Sequence, residues 1–312
     1  MLYVGAQAVG LALALPFKAV GLSSTSNPQS LATPLAFIAV IVIAPLFILL
    51  IARRQGGVAA LRQLILLAIA GSLYFTLYAT LLLVFPNYYL PPPYGAELVL
   101  DPALILAATI SAAIYLALLM EPQWYVVDLA GFLAGGSLIA ILGISFAILP
   151  AFVLLGALMV YDAIAVYKTK HMVSLADVVV EMKLPILMVM PDTAEYDYTA
   201  APNLASQRAQ PVEERAALFM GLGDIVIPGT LVASAFVWLP SSPTVAGLGA
   251  SLWVAIGTLL GSLVGYSVLM RLVLRGNPQA GLPLLNGGAM VGYVIAYVLL
   301  FHSITLGFTG AL

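Results

Sequence analysis

The chain of 312 residues is 63% apolar and only 8% charged, with a mean hydropathy of +1.11. A soluble core cannot absorb that much apolar surface, so the composition describes a chain dissolved in lipid. The net charge of -2 excludes a nucleic-acid footprint. The absence of cysteine excludes disulfides, Cys-ligated metal and a thiol nucleophile, and His171 and His302, the only histidines, lie far apart with no HExxH between them.

Windows of about 20 apolar residues can span a bilayer. Taken in chain order, nine can be drawn: residues 2–20, 31–52, 61–85, 98–120, 124–142, 144–167, 216–239, 246–274 and 282–308. The expected fold is therefore an all-α polytopic membrane protein with nine transmembrane helices arranged as six plus three. Only Gly143 separates the fifth window from the sixth. The first window has no positive charge ahead of its apolar stretch and reads as a retained helix, not a signal peptide.

Lysine and arginine orient the chain, because cytoplasmic loops close to membrane ends are enriched in them. Arg53, Arg54, Arg62, Lys168, Lys170, Lys183, Arg208, Arg215, Arg271 and Arg275 all fall on one side of the nine-span arrangement, and Lys18 alone falls on the other. The expected protein sits in the cell membrane with a cytoplasmic amino terminus and an outside carboxyl terminus. Residues 1–167 form a six-helix membrane region, residues 168–215 a cytoplasmic loop and residues 216–312 a three-helix membrane region. The loop's first half, DVVVEMKLPILMVM, has β-branched and apolar runs suited to short strands or a surface helix. Its second half is polar and proline-containing, and reads as flexible.

Charges inside apolar windows cost about 2.5–3.5 kcal/mol each at a helix centre and so are sorted by depth. Asp101 and Asp128 lie near window starts, where they are expected to reach the interface with local structural roles. Asp162 precedes Lys168 by six residues and Asp224 follows Arg215 by nine. As helices, these put the two acids roughly 9 and 14 Å from one membrane face. Two facing carboxylates share one proton, because like charges a few ångströms apart repel. One acts as base toward a water attacking a peptide carbonyl, and the other donates to the carbonyl oxygen. Depth alone also fits two acids that bond to polar neighbours or gate an ion.

The local sequences distinguish these readings. Tyr161-Asp162 in YDAIAV and Gly221-Leu222-Gly223-Asp224 in GLGD resemble the paired YD and GxGD signatures of the presenilin and signal peptide peptidase family of intramembrane aspartyl proteases. The resemblance extends over essentially the whole chain and is nearest to archaeal presenilin homologues. It implies that Asp162 and Asp224 are catalytic and that no metal or organic cofactor is needed. It also implies that the substrate is a transmembrane peptide or single-span membrane protein in the bilayer. Pro283-Leu284-Leu285 stands where the family has Pro-Ala-Leu, so Leu284 departs from the pattern at a turn that the resemblance implies borders the catalytic pair and helps hold substrate. Tyr161 either orients a carboxylate, lines the cleft or packs.

Gly221 and Gly223 read as positions that let another backbone approach Asp224. Gly257, Gly261 and Gly265 read as a helix-contact face, as do Ala130, Ala134 and Gly135-Gly136. A helical substrate hides its carbonyls in its own hydrogen bonds and must unwind. The resemblance implies that the unwound segment pairs with backbone near residues 184–190 or 283–285. An ion-coupled secondary transporter and a prepilin-type GxGD peptidase are the alternatives, though no repeated halves suit the first. Self-association as a homo-oligomer is left open.

Overall fold

The computed structural model describes residues 2–23, 25–52, 54, 56–82, 84–85, 88–89, 99–169, 187–193, 195–198, 216–275 and 279–308. Its helices are α1 (Leu2–Ala19), α2 (Ala32–Ala52), α3 (Gly57–Leu82), α4 (Pro102–Met120), α5 (Trp124–Ser145), α6 (Ile148–Ile164), α7 (Gly223–Trp238), α8 (Ala250–Val273) and α9 (Leu282–Phe301). Among the described residues, seven helices are long and apolar enough to cross a membrane. Their outward faces keep large apolar side chains exposed, such as Val291, Ile295 and Leu299 on α9. This is the expected surface where hydrocarbon is the solvent.

The helix α7 is central. It packs against α1, α5, α6, α8 and α9, and every residue from Ile225 to Ala235 is buried. A helix apolar on all sides is stable only in such a position. Small residues bring its neighbours close. A Cβ at Gly143 would lie 2.3 Å from that of Ala233 on α7, and one at Gly261 of α8 would lie 2.2 Å from the Gly288 carbonyl of α9. Gly257 and Gly265 face Ala296 and Leu284 of α9 at similarly close range, so the glycine face is a helix contact. Ala130 and Ala134 are buried, while Gly135 and Gly136 take Leu222 and Val9.

Two expected boundaries are corrected. Gly143 does not divide the fifth helix from the sixth; α5 runs on to Ser145 and the break falls at Phe146 and Ala147. The glycine is spent on contact with α7, and polar groups hold the real break. Trp238 donates to the Gly143 carbonyl, Ser234 to that of Phe146, and the Ala147 amide to that of Pro28. The first two bonds satisfy carbonyls that the end of α5 leaves open.

The window 216–239 is not one helix either. It begins with strand β4 (Ala217–Gly221), antiparallel to β3 (Leu187–Pro191), with Met188 opposite Met220 and Leu187 opposite Gly221. The pairing satisfies backbone groups that the loop's apolar run would otherwise bury unpaired. On one face of the hairpin Val189 and Ala217 join a core with Val127, Ala130 and Tyr198 under α3, α4 and α5, while Met188 and Met220 are buried in the main core. The other strands form two minimal pairs: β1 (Tyr88–Tyr89) with β2 (Val99–Leu100), and β5 (Thr244–Val245) with β6 (Leu248–Gly249). Residues 170–186 and 199–215 lie outside the described residues. With them go all of DVVVEMK, most of the polar half of the loop, and Lys170, Lys183, Arg208 and Arg215; Arg53 also falls outside.

Candidate active site

Asp162 sits in the last turn of α6 and is only 6% exposed. A carboxylate so deep needs a partner. Its Oδ2 accepts from the Leu282 amide at 3.0 Å, and the Gly281 amide also donates to the group. Just beyond Asp162 the α-helix widens into one π turn, Ala165–Thr169. From there the Tyr167 hydroxyl donates to Gln279 Oε1 at 3.0 Å and accepts from the Ala280 amide at 3.2 Å. Residues 279–282, which lead into α9, are thus pinned to the end of α6 on both sides.

Asp224 lies in the first turn of α7 and is half-buried. An acid there faces the positive end of the helix dipole, which lowers the cost of its position. A Cβ built on Gly281 would stand 3.2 Å from its Oδ2, 3.3 Å from its Cγ and 3.4 Å from its Oδ1. The charges of Asp162 and Asp224 are near enough to interact. The dipeptide Gly281-Leu282 therefore lies against both acids, its glycine at Asp224 and its leucine amide on Asp162.

The remaining motif residues surround this point unevenly. Gly221 ends β4, and among the described residues a Cβ there would meet only the Asp224 carboxylate, at 3.4 Å. Gly223 is exposed, and a Cβ there would meet nothing within 4 Å among the described residues. The close backbone approach expected at these two glycines is found at Gly281 instead. Neither has a left-handed φ that would demand glycine. Leu222 is buried, with Cδ1 2.8 Å from where a Gly135 Cβ would be. Pro283, Leu284 and Leu285 form the first turn of α9. Leu285 is fully buried, Leu284 is half-buried, and the Leu284 carbonyl lies against Gly265. Tyr161 is half-buried and packed on the same core.

Asp128 does not reach the interface as expected. It is 5% exposed, with Oδ1 accepting from the Val189 amide at 2.7 Å. The helical side of α5 where it sits is covered by the hairpin, which the depth reading ignored. Asp101 does have a local role, as the N-cap of α4, accepting from the Leu104 amide at 3.1 Å and the Tyr78 hydroxyl at 2.8 Å. Sequence reasoning missed Tyr167, Gly281, Leu282 and Asn286; the Asn286 amide nitrogen donates to the Leu155 carbonyl at 3.0 Å and ties α9 to α6. The only local signal was a polar asparagine in the first turns of an otherwise apolar window. Among the described residues, no three His, Cys, Asp or Glu side chains group as metal ligands would.

A polytopic bundle with two interacting aspartates around one backbone segment defines the class, a membrane-embedded aspartyl enzyme. The family model described as signal-peptide peptidase, presenilin aspartyl protease matches residues 1–302. The chain belongs to this family. Two solved structures of a presenilin family intramembrane aspartate protease are similar to it. One, in space group C222, is 30% identical over 96% of each chain with a TM-score of 0.65. The other, in space group P2, is 31% identical over 96% of this chain and 95% of that one, with a TM-score of 0.62. No curated protein matches. The chain is an intramembrane aspartyl protease, a hydrolase, and an integral multi-pass membrane protein of a family that acts on transmembrane substrates in the bilayer. Membership of this family turns the reading away from an ion-coupled transporter and a prepilin-type peptidase.

Proposed function

We propose that Asp162 and Asp224 are the catalytic pair and hydrolyse a peptide bond in or beside a transmembrane segment. The observation that carries this reading is the convergence of both carboxylates on Gly281-Leu282. The ionised aspartate takes a proton from water as its oxygen bonds to the peptide carbonyl carbon, and the protonated one donates to the carbonyl oxygen. Collapse of the resulting diol breaks the C–N bond, and the leaving nitrogen takes up a proton from the pair. No covalent enzyme intermediate forms. Tyr161 lines the approach, and Leu284 in place of the family alanine narrows the room for side chains beside the pair.

Before cleavage the substrate segment unwinds and adds as a strand. Antiparallel pairs alternate between residues bonded across the pair and residues whose amides and carbonyls face outward. The Val189 amide is turned to Asp128, so Val189 and its partner Phe219 are an outward-facing pair. The outer edge of β3 is thereby occupied, whereas Phe219 and Gly221 turn their backbone groups to the other side of β4. That edge runs toward Asp224 and is the docking edge of this proposal, in place of residues 184–190; of those, 184–186 lie outside the described residues. The functional divisions of the chain are the six-helix region of residues 1–167, the loop of residues 168–215 and the three-helix region of residues 216–312. In the cell membrane its amino terminus is cytoplasmic, its carboxyl terminus outside, and its substrates carry their amino termini outside.

The test is incubation of purified full-length protein with a single-span peptide in lipid, with mass mapping of products. Asp162→Asn and Asp224→Asn should each abolish cleavage while the protein stays folded and inserted, because asparagine keeps the size but can neither accept nor supply the proton. Near-wild-type cleavage by either variant would sink the two-aspartate mechanism.

A further inference from the structure

Asp128 is a carboxylate buried in α5 that the proposed chemistry does not use. It sits 61 residues from its partner in sequence, yet the Val189 amide reaches it at 2.7 Å, a short distance of the kind found in charge-assisted bonds. Val189 is fully buried, and the core around it includes Val127, Ala130 and Ala217, so water has little access to that bond. The second carboxylate oxygen of Asp128 is buried with no hydrogen-bond partner among the described residues. A hydrophobic residue would pack at this place without that desolvation cost. The single bond it does make goes to the middle of β3, opposite Phe219.

From these observations we infer that Asp128 is a positioning residue for substrate, a clamp that fixes the β3–β4 hairpin against α5. The inference rests on the docking edge proposed above. A two-stranded ribbon has little stability or fixed register of its own. Held at Val189, it presents the Phe219–Gly221 edge at one height relative to Asp224, which follows Gly221 by three residues in the chain. The clamp also closes the β3 edge, so an incoming strand has β4 alone to pair with. It touches no reacting atom; it acts by deciding which substrate bond lies between the aspartates.

The experiment uses the full-length protein in lipid vesicles with a single-span peptide, reading KM, kcat and the product masses. Asp128→Ala should lower kcat/KM by roughly tenfold, the scale for losing a buried bond to a charged group. The loss should lie mainly in KM, and cleavage should spread to neighbouring bonds. Asp128→Asn keeps an acceptor for the Val189 amide and should restore both KM and the single cleavage position. Val189→Pro removes the donor from the other side, at an edge where proline does not disturb the β4 ladder. It should reproduce the Asp128→Ala products, and it keeps the inference testable if the alanine variant fails to fold. Unchanged KM and products in Asp128→Ala or in Val189→Pro overturn the clamp, as does an Asp128→Asn enzyme no better than Asp128→Ala. Asp162→Asn is run beside them. If it still cleaves, the parent reading fails; if it is dead while the clamp variants match wild type, only the clamp fails.

Discussion

Replacing Gly281 with alanine and then with valine measures how tightly the α9 approach is fitted to Asp224. An added Cβ would meet all three carboxylate atoms between 3.2 and 3.4 Å, closer than such contacts settle, so the side chain must withdraw by a few tenths of an ångström. A misplacement of about 1 Å costs on the order of 100-fold in rate, so log-linear scaling of about 0.3 Å gives roughly a fourfold loss in kcat for the alanine variant. Valine adds two methyl groups on the same side, which requires about an ångström of retreat and costs on the order of 100-fold. Folding should not suffer from the backbone, because Gly281 has φ of -78°, which any residue adopts. The assay is kcat for a single-span peptide together with Tm in the same detergent. Wild-type kcat in both variants would refute the fit between Gly281 and Asp224. A loss of activity that merely follows a loss of Tm would refute it as well.

Asp101→Asn should leave proteolysis intact, whereas Asp101→Ala should cost about 1 kcal/mol of stability by removing the α4 N-cap; a thermal melt beside an activity assay separates the two. Gly261→Ala forces a methyl group into the Gly288 carbonyl and should destabilise by about 1–3 kcal/mol. Gly156→Ala, where a Cβ meets nothing, should be neutral or stabilising by up to about 1 kcal/mol, and equal melts for the two would contradict the tight α8–α9 contact. Reporter fusions should find residues 168–215 in the cytoplasm and Leu312 outside, since the ten-to-one bias of lysine and arginine demands it; a cytoplasmic carboxyl terminus would reverse the proposed substrate orientation.

The apolar helices were legible because lipid imposes a local rule: about 20 apolar residues in a row, whatever they pack against. The helices consequently fall inside or near the expected windows, except where a tertiary contact decided otherwise. Gly143 looked like a break because glycine ends helices, but here its missing side chain admits Ala233. Residues 217–221 looked helical because an apolar run carries no mark of its period, and only the partner at 187–191 makes it a strand. The two aspartates and their motifs stood out by charge and by resemblance. The residues that hold them did not. Leu282 meets Asp162 across 120 positions, and Ala280 meets Tyr167 across 113. No local spacing reports such pairings, and a glycine whose value lies in the carboxylate beside it reads like any other glycine before a helix.

Four acids in the apolar regions of this chain illustrate how the cost of a charge in lipid is met, and the differences bear on chemistry. Asp101 lies at a helix start and binds an amide and a tyrosine hydroxyl. Asp128 binds one strand amide in a sealed core. Asp162 takes amides from the segment entering α9. Asp224 differs from all three, since no described group donates a hydrogen bond to its carboxylate and no described atom lies within 4 Å of where a Gly223 Cβ would stand. A helix N-terminus offsets some of its cost without occupying its oxygens. Among the described residues, then, the acid without a hydrogen-bond donor is the one proposed to face water and a substrate carbonyl, and its proposed partner is the one whose position is fixed by backbone. In the proposed cycle this asymmetry leaves the oxygens of Asp224 for a water to be bonded and deprotonated, while backbone amides keep Asp162 in place as its partner.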